Sequence, residues 1–200
     1  MKRTAILIAA LAGALLATHA QAQEPGQAYF GIGYGAVWSE SASPYANTLD
    51  DRTTAGAKIY AGSMQERFGL ELGLYHLGEF EVNLLGAKLA ETRTTAVAVS
   101  GVMATPLGGG YTAHAKLGLA FTQAEFTCSG AQCATQSPPG VDTKKRGMSG
   151  LFGLGVGAKL GQNVLMRMDF EHFGNVHHQI GNTAYTDGYD ILSVNLQFNF

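Results

Sequence analysis

Bulky and small or polar residues alternate along most of this chain. In AYFGIGYGAVW (28–38) the even positions Phe30, Ile32, Tyr34, Ala36 and Trp38 are bulky or apolar, while Gly31, Gly33 and Gly35 hold most of the odd ones. Successive side chains of a strand point to opposite faces, so the stretch reads as a strand with one greasy face and one nearly bare face. The same period of two recurs at 54–62, 68–77, 94–104, 111–126, 148–160, 164–173 and 189–200. That predicts eight strands, each about long enough to cross a bilayer when tilted.

The connections alternate too. Ser63 to Arg67, TPLGGG (105–110) and GQN (161–163) are tight and rich in turn formers, whereas 39–53, 78–93, 127–147 and 174–188 run long and polar. Short turns at one end and long loops at the other form the pattern of an outer-membrane barrel, with the short turns periplasmic and the long loops extracellular. The predicted fold class is therefore all-β, a transmembrane up-and-down antiparallel barrel.

Charge placement sharpens this. With Leu70, Leu72 and Leu74 toward lipid, Glu71 faces inward, and the same parity sends Lys58, Lys116, Lys159, Arg167, Asp169 and Glu171 to the lumen. No apolar row is expected to carry a charge in mid-strand. Four inward cations against three inward anions read as a near-neutral network inside a barrel too narrow for bulk water. A soluble amphipathic barrel reverses the arrangement, with greasy residues inside. Aromatics gather near strand ends as membrane girdles require: Phe30, Phe68, Tyr111, Phe198 and Phe200 at the periplasmic side, Trp38, Phe121 and Phe170 at the outer side.

The start of the chain sets the compartment. Lys2 and Arg3 precede the apolar run Ala5 to Ala17, and Ala20-Gln21-Ala22 offers small residues where a signal peptidase reads, so cleavage before Gln23 is expected. Residues 1–22 then form a secretory signal peptide and 23–200 a single barrel domain. With 14% charged residues and a net charge of -2, the chain has no basic stripe for nucleic acid. In an exported protein Cys128 and Cys133 read as one disulfide closing a small loop, worth about 2 kcal/mol if unstrained. The rival metal site has too few ligands, two thiolates with no nearby histidine.

GLELGLYHLGEFE (69–81), with its inward Glu71, and MRMDFEHFGNV (166–176) followed by YDILSVNLQFNF (189–200) resemble the OmpA-like eight-stranded transmembrane barrel family. The resemblance implies an integral outer-membrane protein that meets outer-membrane lipids and lipopolysaccharide. It also implies that Phe198 and Phe200, with the alternating apolar residues before them, are the signal read by the barrel assembly machinery after delivery by periplasmic chaperones. The barrel is expected to be a monomer and to need no cofactor. No peptidoglycan-binding domain follows Phe200, so a tether to the cell wall by that route is not expected.

Candidate chemistry is sparse. RMDFEHFGN (167–175) resembles small-barrel lipid A deacylases, in which a Ser stands two positions after a lipid-facing His, but here Gly174 follows His172 at that spacing. His172 therefore reads as an interfacial side chain. His177 and His178, with His172 nearby, offer imidazoles to a metal but read as solvated loop residues, since a loop lacks the partners that orient metal ligands. Eight-stranded barrels are just wide enough for side chains to fill, so Lys58, Tyr60, Tyr75, Lys116, Lys159 and Arg167 leave at most a narrow, low-conductance pore. The sequence reading is a non-enzymatic barrel contributing to outer-membrane integrity or surface interaction. Its alternatives are a soluble periplasmic barrel that binds an apolar ligand and a lipid A-modifying hydrolase.

Overall fold

The computed structural model describes residues 26–41, 53–84, 87–128, 143–180 and 183–200. The expected signal peptide, Cys133 and the side chains of Cys128, His177 and His178 lie outside the described residues, and with them the expected disulfide. The strands are β1 (Gln27–Ser41), β2 (Thr53–Gln65), β3 (Phe68–Leu84), β4 (Ala87–Gly108), β5 (Tyr111–Cys128), β6 (Thr143–Lys159), β7 (Val164–Ile180) and β8 (Thr183–Asn199). Each pairs antiparallel with the next, and β1 pairs with β8 to close the barrel, so no sheet edge is left along the membrane-crossing wall.

The short turns are tight because their residues permit it. Gly109 and Gly110 link β4 to β5 with φ of 61° and 84°, the left-handed pair that a two-residue hairpin loop needs. Along β5 the alternation is plain in the exposures: Lys116 is 2% exposed and its neighbour Leu117 73%. Leu70, Val99, Leu119, Leu154, Met168 and Val194 likewise lie on the outer wall. Phe68, Tyr111, Phe198 and Phe200 ring the end that carries the short turns.

The glycine face of β1 has a steric cause. A Cβ at Gly35 would stand 2.0 Å from the Leu192 carbonyl oxygen, and one at Gly33 1.8 Å from Asn195 Oδ1. The bare stripe lets β8 pass close to β1 at the closing seam while Asn195 crosses over it.

Two predicted loops are largely strand. β3 and β4 stay paired from Glu79↔Arg93 up to Leu84↔Ala87, and β7 and β8 from Val176↔Asp187 up to Ile180↔Thr183. A register shift between His76 and Glu79, where Gly78 has φ 85°, separates the lower ladder from the upper one. Above it Phe80 is buried and Glu79 pairs with Arg93 in an exposed salt bridge. In this ribbon the greasy side chain points in and the charges point out, because water has replaced lipid outside. A reading that equates apolar with outward misses such strands.

The lumen departs from a wholly polar filling. Toward the extracellular end the inward residues Val37, Tyr75, Leu77, Phe80, Leu151, Phe173, Val176, Tyr189 and Ile191 pack into one buried apolar cluster. Tyr75 and Phe173 meet edge to face with ring centroids 5.0 Å apart. The barrel interior thus has an apolar tier above the paired lumenal charges, with one further buried carboxylate, Asp187, at the level of Val176.

Candidate functional site

The lower tier is built from inward positions on β2, β3, β5 and β7. Lys58 donates to Asp169 at 2.8 Å and also to Glu171. Lys116 reaches Glu71 at 2.6 Å, Glu171 at 2.9 Å and Asp169 at 3.4 Å. Arg167 bonds Asp169 Oδ2 at 3.1 Å, Glu71 at 3.2 Å and the Gln197 side-chain oxygen at 2.8 Å. The three cations and three anions balance, and every one of the six is at least 96% buried. Neutrality with dense charge-assisted bonding is what makes such burial tolerable, since an unpaired ion here would lose its hydration without return.

Tyrosines finish the network. Tyr75 donates to Glu171 at 2.9 Å and Tyr29 to Glu71 at 3.1 Å. The Tyr60 ring lies between Lys58, Lys116 and Arg167, whose charged ends sit 5.5, 5.5 and 5.0 Å from its centroid. Among the described residues its buried hydroxyl has no hydrogen-bond partner, so the ring face and not the hydroxyl is what the site uses. Tyr60→Phe should therefore leave urea stability unchanged or raise it by about 1 kcal/mol, since a buried unsatisfied hydroxyl costs about 1 to 3 kcal/mol. A loss of more than about 1 kcal/mol would show that the hydroxyl has a partner after all.

Six of the seven lumenal charges singled out from the sequence come together here. The seventh, Lys159, does not: it has inward parity but stands at the last position of β6, exposed at the short-turn rim. Parity assigns a face and says nothing of depth. The sequence reading also passed over His114, which shares the parity of Lys116 and places Nε2 2.8 Å from Asp169 Oδ1 and 3.0 Å from Arg167. One ring nitrogen can donate to Asp169 or accept from Arg167, not both, so its tautomer decides which contact is attractive.

The outer wall needs a second correction. Asp190 lies on the lipid-facing row of β8, in register with His172 on β7 and Trp38 on β1. His172 Nδ1 is 2.8 Å from Asp190 Oδ1. An outward row therefore does carry a carboxylate, at the end of its apolar stretch and beside an imidazole. Among the described residues no hydroxyl bonds to the pair: Ser149 on β6 points inward, where its single proton can go to the Gly150 or the Gly174 carbonyl. Higher on the wall Lys144 donates to Glu125 at 2.8 Å, and this hydrogen bond holds the Glu125 carboxyl below the usual carboxylate range. Among the described residues no group of three or more His, Cys, Asp or Glu side chains is arranged to hold a metal ion.

The profile of the OmpA-like transmembrane domain family matches residues 23–200. Solved structures share the fold. Neisserial surface protein A (NspA) aligns over 88% of this chain and 99% of its own, with a TM-score of 0.65 at 12% identity. The outer membrane protein OprG from Pseudomonas aeruginosa aligns over 86% and 96%, with a TM-score of 0.61 at 15% identity. Ail, the attachment invasion locus protein of Yersinia pestis, solved in complex with the heparin analogue sucrose octasulfate, aligns over 86% and 99%, with a TM-score of 0.52 at 15% identity. No curated protein sequence matches the chain.

Proposed function

The chain belongs to the OmpA-like transmembrane domain family, an integral barrel of the outer membrane, and from that premise we propose that it is a closed, non-enzymatic scaffold that presents its extracellular ribbons at the cell surface. The observation that carries this reading is the doubly filled lumen. A solute or ion entering from outside meets the apolar tier around Phe173 and Leu151, and one entering from the periplasm meets the balanced charges around Asp169. Moving an ion through the first tier means stripping its water, and moving anything through the second means separating buried ion pairs.

Two features support a structural role over catalysis. His172 has an acidic partner but faces Gly174 where a hydrolase of the resembling kind has its nucleophile. The ribbons paired from Glu79↔Arg93 to Leu84↔Ala87 and from Val176↔Asp187 to Ile180↔Thr183 extend the barrel on the side of the long connections, and loops and ribbons on a rigid barrel are where surface contacts are made. Folding onto Phe198 and Phe200 as an assembly signal, and life as a monomer, belong to the same proposal.

Single-channel recording of the refolded barrel in a planar bilayer tests it. The expected trace is closed for long intervals with at most brief, small openings. A steady ohmic current would overturn the closed-scaffold reading, and hydrolysis of lipid A by the purified barrel would overturn the non-enzymatic one.

A further inference from the structure

The outer wall is not evenly filled. On β3 to β6 the outward positions near the short turns form two rows in register: Phe68, Met103, Ala115 and Leu154, and one step higher Leu70, Gly101, Leu117 and Phe152. Gly101 and Ala115 fall diagonally next to each other, so two nearly bare positions meet among six large apolar side chains. A Cβ at Gly101 would find nothing within 4 Å except the Leu117 carbonyl oxygen, at 3.8 Å. A groove of about 300 Å³ results, lined mainly by Phe68, Gly101, Met103, Ala115, Leu117 and Phe152. Lys116 also borders it, but its side chain is turned into the lumen and spent on Glu71 and Glu171.

The place of the groove decides what covers it. Phe68, the first residue of β3, belongs to the aromatic ring at the short turns, which is the periplasmic end of an outer-membrane barrel. The hollow therefore lies in the hydrocarbon of the periplasmic leaflet, with one end at the headgroup boundary. Water is excluded there, and an unfilled hollow loses dispersion contacts along its whole lining. A second barrel related by a two-fold axis through this patch would set hollow against hollow. A hydrocarbon chain fits instead, and a chain that starts at this boundary belongs to a glycerophospholipid, since lipopolysaccharide is anchored in the opposite leaflet. Glu66 and Arg67 stand side by side in the turn before Phe68, both exposed, so the mouth carries no net charge with which to choose a headgroup.

We infer that this groove holds one acyl chain of a periplasmic-leaflet glycerophospholipid and keeps that lipid on the barrel while its neighbours exchange, whatever its headgroup. Packing and not transfer from water supplies the preference, because the surrounding lipid is as apolar as the groove. The inference rests on the outer-membrane placement of the barrel and holds whether or not the lumen conducts.

Native mass spectrometry of the full barrel, extracted from outer membranes in mild detergent, tests it. Wild type should carry one phospholipid, with headgroups in the proportion of the membrane it came from. Gly101→Leu, whose side chain grows into open space, should lower the lipid-bound fraction about tenfold. Its urea stability should be equal to wild type or higher, since a glycine inside a strand weakens it, and heat-dependent gel mobility shows that it is folded. Ala36→Leu, outward on β1 and away from the groove, should leave the bound lipid unchanged. A wild-type barrel without bound phospholipid, lipopolysaccharide as its sole bound lipid, a selected headgroup, or wild-type occupancy in folded Gly101→Leu would each overturn the inference. So would a wild-type dimer that Gly101→Leu splits, because the groove would then hold a second copy.

Discussion

Replacing Asp169 with Asn should destabilise the folded barrel by about 3 to 5 kcal/mol, the cost of leaving a buried charge without its partner. Asp169 is the most heavily shared anion of the lumen, within bonding distance of Lys58, Lys116, Arg167 and His114. Its loss leaves three cations facing Glu71 and Glu171 alone. Urea unfolding in phospholipid vesicles measures the effect, followed by the emission of Trp38, the one tryptophan in the chain. The same variant should show more frequent channel openings with a preference for anions, because the remaining lumen carries net positive charge. Lys58→Met placed on top of Asp169→Asn restores the balance and should recover most of the lost stability. A single variant within about 1 kcal/mol of wild type, or a double variant no better than the single, would mean that the six charges do not act as one unit.

Phe173→Ala should cost a similar amount, about 3 to 5 kcal/mol, but for a different reason and with a different electrical outcome. Phe173 is fully buried between the Tyr75 ring and the neighbouring inward residues Leu151 and Tyr189, and truncation leaves a void that the surrounding strands are too well paired to close. Conductance should remain as low as in wild type, since the charged tier below is untouched. Comparing the two variants in the same bilayer separates the roles: stability falls in both, openings rise in Asp169→Asn alone. If Phe173→Ala opened the barrel as readily, the apolar tier and not the ion network would be the principal seal.

The misses in the sequence reading have specific causes. Phe80 and Val176 read as loop residues when apolar side chains are expected on the lipid side, because beyond the Gly78 irregularity and the shift between Phe173 and Val176 the ribbons face water and invert the pattern. Asp190 is masked by the regular alternation of YDILSVNLQFNF, in which the outward residues after it are all apolar. His114 carried a usable signal, its shared parity with Lys116 two residues later. Lys159 carried a misleading one, the right face at the wrong height.

By itself the sequence determined the number of strands, their up-and-down order, which face of each meets lipid and the inward placement of Lys58, Glu71, Lys116, Arg167, Asp169 and Glu171. Those follow from a period of two read against a bilayer, and they need only local information. Which inward residues share a level was decided by the tertiary structure alone. Lys58 and Asp169 are 111 positions apart and meet across the lumen, while Lys159, eight residues before Arg167, stays at the rim. Depth depends on the register of every strand against its neighbours, on turns such as Gly109 and Gly110, and on the shift at Gly78. A pattern along one strand carries no record of that register, so the division of the lumen into an ionic tier and an apolar tier emerges only when the barrel closes.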